Sequence, residues 1–148
     1  LLHRNIRPSK IFMNSQKGIK ISFLGPIFSF LGGFSMAAYT SPENLDLDLN
    51  QRMDNGYSGD VWSLGITILE LYLGSFPFNC GRKSDWEILK QTIWHEQPPE
   101  APPTASPEFA DFISCCLKKD QGKRWTVEQL LGHPFIFLRK ITSIICFK

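Results

Sequence analysis

The sequence lacks the features that mark metal-binding, nucleic-acid-binding or secreted proteins. Its four cysteines (Cys80, Cys115, Cys116 and Cys146) form no CxxC pair and have no metal-site spacing. The net charge is only +2, and lysines and arginines are scattered among acids rather than gathered into a basic stripe. No secretory signal is visible. We therefore predict no metal site, no nucleic-acid partner and an intracellular location, in the cytoplasm or nucleus, with Cys115 and Cys116 as buried thiols.

One long segment lacks charge altogether. Residues 21–42 contain no Asp, Glu, Lys or Arg, and this length meets the crude criterion for a membrane span. However, Gly25-Pro26 and Gly32-Gly33 would break a helix and leave backbone groups unsatisfied in lipid. We therefore predict a loop rather than a membrane span. Its apolar part, residues 23–34, is a candidate interaction surface.

The first half of the chain predicts a β-hairpin and a long helix. Two short apolar runs, Ile11–Asn14 and Ile19–Ser22, flank a turn. Residues 58–73 are apolar on nearly every face, which predicts a helix buried on all sides. Ser58 is its predicted N-cap, and Gly74 is predicted to end it.

The second half predicts shorter helices. Residues 84–96 are amphipathic, and Trp86 and Trp94 there belong either to an interaction surface or to the core. Five prolines make residues 97–107 an extended linker. Two more helices, with their caps, are predicted: Pro107–Leu117 after Ser106, and Val127–Leu131 after Thr126. The fold class is mainly α with a small β-hairpin (α+β).

Several short motifs follow one another in a fixed order. They are His3-Arg4-Asn5-Ile6-Arg7-Pro8-Ser9-Lys10, Phe23-Leu24-Gly25, Ala38-Tyr39-Thr40-Ser41-Pro42-Glu43, Asp60-Val61-Trp62-Ser63-Leu64-Gly65 and Lys123-Arg124. This order resembles the C-terminal lobe of a eukaryotic protein kinase. The Ala-Tyr-Thr-Ser-Pro-Glu run is similar to mitogen-activated protein kinase kinases, especially the plant members. The resemblance implies a kinase-like fold, C-terminal lobe only, over residues 1–138, with a tail at 139–148.

The resemblance also implies structural roles. Glu43 and Arg124 should form a buried ion pair that ties the activation segment to the helical base. Asp60 should accept hydrogen bonds from the backbone of the catalytic loop near Arg4, and His3 is implied as a further structural residue. Ser29 and Ser35 lie where plant members carry a phosphorylation pair, which makes them candidate phosphosites.

The residues that should carry phosphoryl transfer are mostly replaced. Asn5 stands in place of the Asp base, and an amide cannot take up a proton. Lys10 stands in place of a metal-binding Asn, and Phe23 in place of the main metal-binding Asp. Arg7 alone keeps its implied role, as a cation facing phosphate. ATP and magnesium are therefore implied by the family only, and we expect no cofactor for this chain.

Three interpretations of function remain open. The Gly-rich loop and phosphate-gripping lysine of kinases belong to an N-terminal lobe, and these 148 residues contain no counterpart. The first interpretation is an inactive kinase-derived protein that binds a mitogen-activated protein kinase or an upstream kinase. The second is an active dual-specificity kinase, if an N-terminal lobe exists. The third is a decayed gene product with no selected role.

Overall fold

Helix α1 (Ser58–Leu73) is the central element of the fold, and its bounds are those that the sequence predicts. The computed structural model describes residues 2–16, 18–22, 38–45, 56–78 and 86–137. Gly74 ends the helix in the left-handed conformation (φ +71°), and its N–H donates to the carbonyl of Glu70. The predicted Ser58 N-cap is wrong: Tyr57 holds that position without a side-chain cap, while the Ser58 hydroxyl and carbonyl accept hydrogen bonds from Arg124.

Burial of α1 is greatest between Val61 and Leu69 and is lost over the last turn. Trp62, Ile66 and Leu69 have no exposed surface. Leu71 and Leu73 are 58% and 40% exposed, so the prediction of burial on all sides is wrong for the last turn. In that last turn, the ring of Tyr72 stacks on the ring of Phe109, and the two ring centroids are 4.6 Å apart.

Among the described residues, further helices are α2 (Trp86–His95), α3 (Pro107–Cys116) and α4 (Val127–Leu131), and residues 134–137 are also helical. Ser106 caps α3 by accepting the Phe109 N–H, and Thr126 forms a capping box with Gln129 at α4, as the sequence predicts. Residues 97–106 form neither helix nor strand, which agrees with the predicted linker.

Helices α1 and α3 approach closely at Gly65. A Cβ atom placed on Gly65 would lie 2.7 Å from Cys116 Cβ and 2.8 Å from Leu117 Cδ2. The absence of a side chain at this position is therefore what lets the two helices meet. Around this contact lies the core, whose larger fully buried members are Trp62, Phe112, Ile66, Leu69, Leu89, Ile93, Ile113 and Cys116.

The predicted hairpin is present as β1 (Ile11–Met13) and β2 (Ile19–Ile21), paired antiparallel with Phe12 opposite Lys20. A 3₁₀ turn, Pro8–Lys10, leads directly into β1 and contacts α1. The Ser22 N–H donates to the carbonyl of Lys10 (2.8 Å) and extends the pairing. The segment before β1 is thereby fixed between the hairpin and α1.

Candidate functional site

Asp60, in the first turn of α1, holds the segment that contains His3 and Arg4. Its two carboxylate oxygens accept the backbone N–H groups of His3 and Arg4, each at 2.7 Å. Arg4 adopts φ +58°, a conformation that costs an L-residue roughly 1–2 kcal/mol. The two short, charge-assisted hydrogen bonds offset that strain. The structure thus brings Asp60 to the predicted part of the loop.

The His3 side chain fixes the same segment from the hairpin side. Its Nδ1 accepts the backbone N–H of Asn5 (3.3 Å), so the ring proton lies on Nε2, which donates to the carbonyl of Ser22 (3.1 Å). His3 therefore connects the loop to the strand end that precedes residue 23. This is a positioning role rather than a chemical one.

Glu43 and Arg124 form the predicted ion pair. Arg124 Nη1 donates to Glu43 Oε1 at 2.6 Å and Nη2 to Oε2 at 3.0 Å, a bidentate geometry. The Arg124 side chain has no exposed surface, and that of Glu43 is 16% exposed. Arg124 also donates to the carbonyls of Ser58 and Lys118, so several acceptors share its buried charge.

Asn5, Arg7 and Lys10 are half-buried and lie on one short loop. Asn5 Oδ1 is buried and has no hydrogen-bond partner among the described residues. Arg7 precedes the 3₁₀ turn, and its carbonyl accepts the N–H of Lys10 at 2.9 Å. Phe23, Ser29 and Ser35 lie outside the described residues, as do the apolar stretch 23–34 and the tail 139–148.

The donor set on this loop does not fit magnesium. Mg²⁺ requires oxygen ligands. Lys10 offers an ammonium where the kinase pattern has an amide oxygen, and the residue at position 23 is Phe. At an effective dielectric constant near 20, two unit positive charges ~4 Å apart repel by ~4 kcal/mol, and the repulsion doubles for a dication. The side chains of this loop therefore do not support a magnesium-dependent catalytic step.

Tyr39 connects the Ser-Pro-Glu segment to α1. Its hydroxyl donates to Glu70 Oε2 at 2.5 Å, and its ring meets Phe76 edge-on at 5.7 Å. Burial and then the Glu70 hydrogen bond and charge raise the pKa of Tyr39 well above its usual value, while the nearby Arg7 charge acts against that rise. Tyr39 is therefore a neutral hydrogen-bond donor over the physiological range of pH.

Trp94 is part of the packed structure rather than a free surface. Its indole Nε1 donates to the carbonyl of Pro42 (3.3 Å), and its own carbonyl accepts from Lys119 Nζ (2.8 Å). Lys90 lies over the ring, 4.7 Å from its centroid. Trp86 is partly buried against the same core. Of the two alternatives for these tryptophans, the structure favours core packing.

A cluster that the sequence did not reveal lies between α3 and the residues after α4. One donor atom each of Asp111, Cys115 and His133 lies within 4.8 Å of the others. His133 is 1% exposed, and its Nε2 lies 3.1 Å from Asp111 Oδ2. Asp111 and Cys115 are four residues apart on a helix, which places them on one face. Only the fold, however, brings His133 to that face.

Comparison with known proteins identifies the family. A family profile described as "Protein kinase domain" matches residues 1–136. The chain belongs to the protein kinase family. Over 92% of its length it is 39% identical to mitogen-activated protein kinase kinase 7 and 38% identical to mitogen-activated protein kinase kinase 9, both of Arabidopsis thaliana. Over the same share of its length, the chain is 35% identical to human dual specificity mitogen-activated protein kinase kinase 7.

The chain spans about half the length of the plant relatives named here, 47% and 46%, and 34% of the human one. The resemblance to mitogen-activated protein kinase kinases therefore concerns one part of those proteins, the part that includes the kinase motifs of residues 3–124. In the described part of this kinase-family chain, no helix is both long and apolar enough to cross a bilayer.

Proposed function

We propose that this chain is a kinase lobe that has lost phosphoryl transfer and acts by binding other proteins of a phosphorylation cascade. The proposal is supported by one contrast. The residues that hold a kinase lobe together are present and engaged, whereas the residues that would move a phosphoryl group are replaced. Its relatives' names place them in mitogen-activated protein kinase cascades.

The engaged contacts span the lobe. Asp60 holds the backbone of His3 and Arg4, and Glu43 is bonded to Arg124 across 81 residues of sequence. Loss of either partner of the buried pair would leave the other charged and desolvated, which is strongly destabilising. A chain under no selection for a folded structure would not be expected to keep both partners. Their joint presence supports a folded protein rather than a decayed one.

Two of the replaced positions, Asn5 and Lys10, lie on one short loop. Asn5 can accept or donate a hydrogen bond but cannot hold a substrate's proton, and general-base help commonly contributes ~10²–10⁴ in rate. Lys10 puts a positive charge where a metal ligand would be. Arg7 alone keeps the charge expected of its position. These substitutions favour a binding role.

The names of the relatives support the partner class. We propose a mitogen-activated protein kinase or its upstream kinase as the partner, and the cytoplasm or nucleus as the compartment. The alternative is an active dual-specificity kinase formed with an N-terminal lobe. Ser29 and Ser35 remain candidate phosphosites of either form.

A chimera tests catalysis. The N-terminal part of Arabidopsis mitogen-activated protein kinase kinase 7 would be joined to this chain, so that both lobes are present in the protein that is assayed. We expect no phosphate transfer to a mitogen-activated protein kinase with magnesium or manganese. The matched chimera carrying Asn5→Asp, Lys10→Asn and Phe23→Asp should transfer phosphate. Transfer by the unmodified chimera that Arg7→Ala abolishes would overturn the proposal.

Calorimetry tests binding. The unmodified chain would be titrated with a purified mitogen-activated protein kinase and with an upstream kinase. We expect saturable binding of at least one of them that persists in Asn5→Ala, since binding does not depend on the transfer residues. Absence of binding to both would reject the binding role and favour a chain without a selected function.

A further inference from the structure

We propose that Asp111, Cys115 and His133 form a zinc-binding site. This inference is independent of the proposed function, because the cluster lies on α3 and beyond α4, away from the loop of residues 3–10. Asp111 and Cys115 project from the same face of α3, one turn apart. His133 reaches them from the chain that follows α4.

The separations of the donor atoms suit a tetrahedral ion. Zinc bonds of ~2.0–2.3 Å at tetrahedral angles place ligand atoms roughly 3.3–3.7 Å apart. His133 Nε2 and Asp111 Oδ2 are already 3.1 Å apart, and all three donor atoms lie within 4.8 Å of one another. A shift of about 1 Å by one side chain would complete the geometry, within the motion of a rotamer.

The donor types suit zinc better than magnesium or calcium. A thiolate, an imidazole and a carboxylate are the three ligands that zinc takes in proteins, whereas magnesium and calcium require oxygen alone. The carboxylate of Asp111 and the thiolate of Cys115 would together balance the charge of a divalent ion. On zinc binding, the Cys115 thiol proton would leave to solvent, and the His133 ring proton would move from Nε2 to Nδ1.

Three features act against the ion. His133 Nδ1 accepts the backbone N–H of Phe135 (3.1 Å), a hydrogen bond that is lost when the ring proton moves to Nδ1. Burial and then the charge of Asp111 raise the pKa of the Cys115 thiol, so forming the thiolate costs free energy. The ammonium of Lys118 lowers that pKa but would repel a bound cation, although its Nζ is bonded to Ser114 Oγ at 3.0 Å. Three metal–ligand bonds have to outweigh these costs.

Asp111 is the exposed member of the cluster. Its side chain is 68% exposed and lines a surface cavity of about 610 Å³ together with Lys118. Cys115 and His133 are buried and are not among the described residues that line this cavity. Asp111 therefore connects the cluster to solvent.

Cobalt titration tests the site, with Co²⁺ as a spectroscopic substitute for zinc. The chain would carry Cys80→Ser and Cys146→Ser, so that Cys115 and Cys116 are the two cysteines that remain. We expect a thiolate-to-cobalt charge-transfer band and tetrahedral d–d bands, which zinc abolishes by displacement. Cys115→Ser should remove the charge-transfer band and weaken binding by at least about tenfold. His133→Asn, which keeps an acceptor for the Phe135 N–H, should weaken binding similarly.

Cys116→Ser is the matched control, because Cys116 is buried and adjacent but belongs to the α1–α3 contact. The Cys116→Ser variant should keep the charge-transfer band and a cobalt affinity within about twofold of the parent. Lys118→Gln should tighten cobalt binding, because it removes a positive charge near the site. The proposed site is refuted if the charge-transfer band survives Cys115→Ser. It is also refuted if Cys116→Ser removes the band while the protein remains folded. If the variants fail to fold, zinc X-ray absorption of the parent chain decides: one sulfur ligand supports the site, and none rejects it.

Discussion

Arg124 binds Glu43 through both of its terminal nitrogens, at 2.6 and 3.0 Å, although 81 residues separate the two in sequence. The same guanidinium lies 5.2 Å from the centroid of the Trp62 ring. One side chain thus joins the Ser-Pro-Glu segment, the start of α1 and the chain after α3. The stability of the lobe should depend strongly on this pair.

Glu43→Gln should therefore be strongly destabilising. The substitution leaves Arg124 charged and buried, and breaking such a pair typically costs ~3–5 kcal/mol. We expect a loss of about 3 kcal/mol, because the carbonyls of Ser58 and Lys118 still accept from Arg124. Urea unfolding gives the value. Lys123→Gln, which removes an exposed pair with Asp120, is the control and should change stability by less than about 1 kcal/mol. Equal effects of the two would contradict the assignment.

Gly65→Ala should destabilise the α1–α3 contact. The new Cβ would lie 2.7 Å from Cys116 Cβ, and overpacking of this kind typically costs ~1–3 kcal/mol. Gly132→Ala is the matched substitution, since Gly132 has φ −86° and its Cβ would meet only Gln129 O, at 3.5 Å. We expect Gly132→Ala to be neutral in thermal unfolding. A Gly65→Ala variant as stable as the parent would show that the helices are not in close contact.

Asp60→Ala should release the backbone of His3 and Arg4. Both N–H groups lose their acceptor, which we expect to cost about 2 kcal/mol. Asp60→Asn keeps one carbonyl oxygen and should fall between Ala and the parent. Amide hydrogen exchange followed by NMR is the specific measurement, with faster exchange at residues 3 and 4. Unchanged exchange at both amides in Asp60→Ala would refute the contact.

Tyr39 should make stability depend on alkaline pH. Its pKa is raised in the folded chain, by burial and by Glu70, so above about pH 10 the unfolded chain loses a proton that the folded chain keeps. The contribution is complete below that pH and is lost as pH rises further. Tyr39→Phe should flatten the decline in unfolding free energy between neutral and alkaline pH, whereas Tyr57→Phe, at an exposed residue, should not. Identical slopes for the parent and Tyr39→Phe would exclude this role.

The local structure could be predicted because its causes are local. The apolar pattern of residues 58–73 and the left-handed Gly74 set the bounds of α1, and Ser106 and Thr126 cap their helices through neighbours three residues away. The prediction failed where a distant partner intervened. Ser58 does not cap α1 because its hydroxyl accepts from Arg124 instead.

By itself, the sequence determined the kinase family, the element order and the replaced residues at positions 5, 10 and 23, because these follow from residue identity and spacing. Only the tertiary structure decided that Trp94 packs against Pro42, that Tyr39 donates to Glu70, and that His133 joins Asp111 and Cys115. Such contacts join residues 18 or more positions apart. Their formation depends on how whole helices pack, which no local pattern encodes.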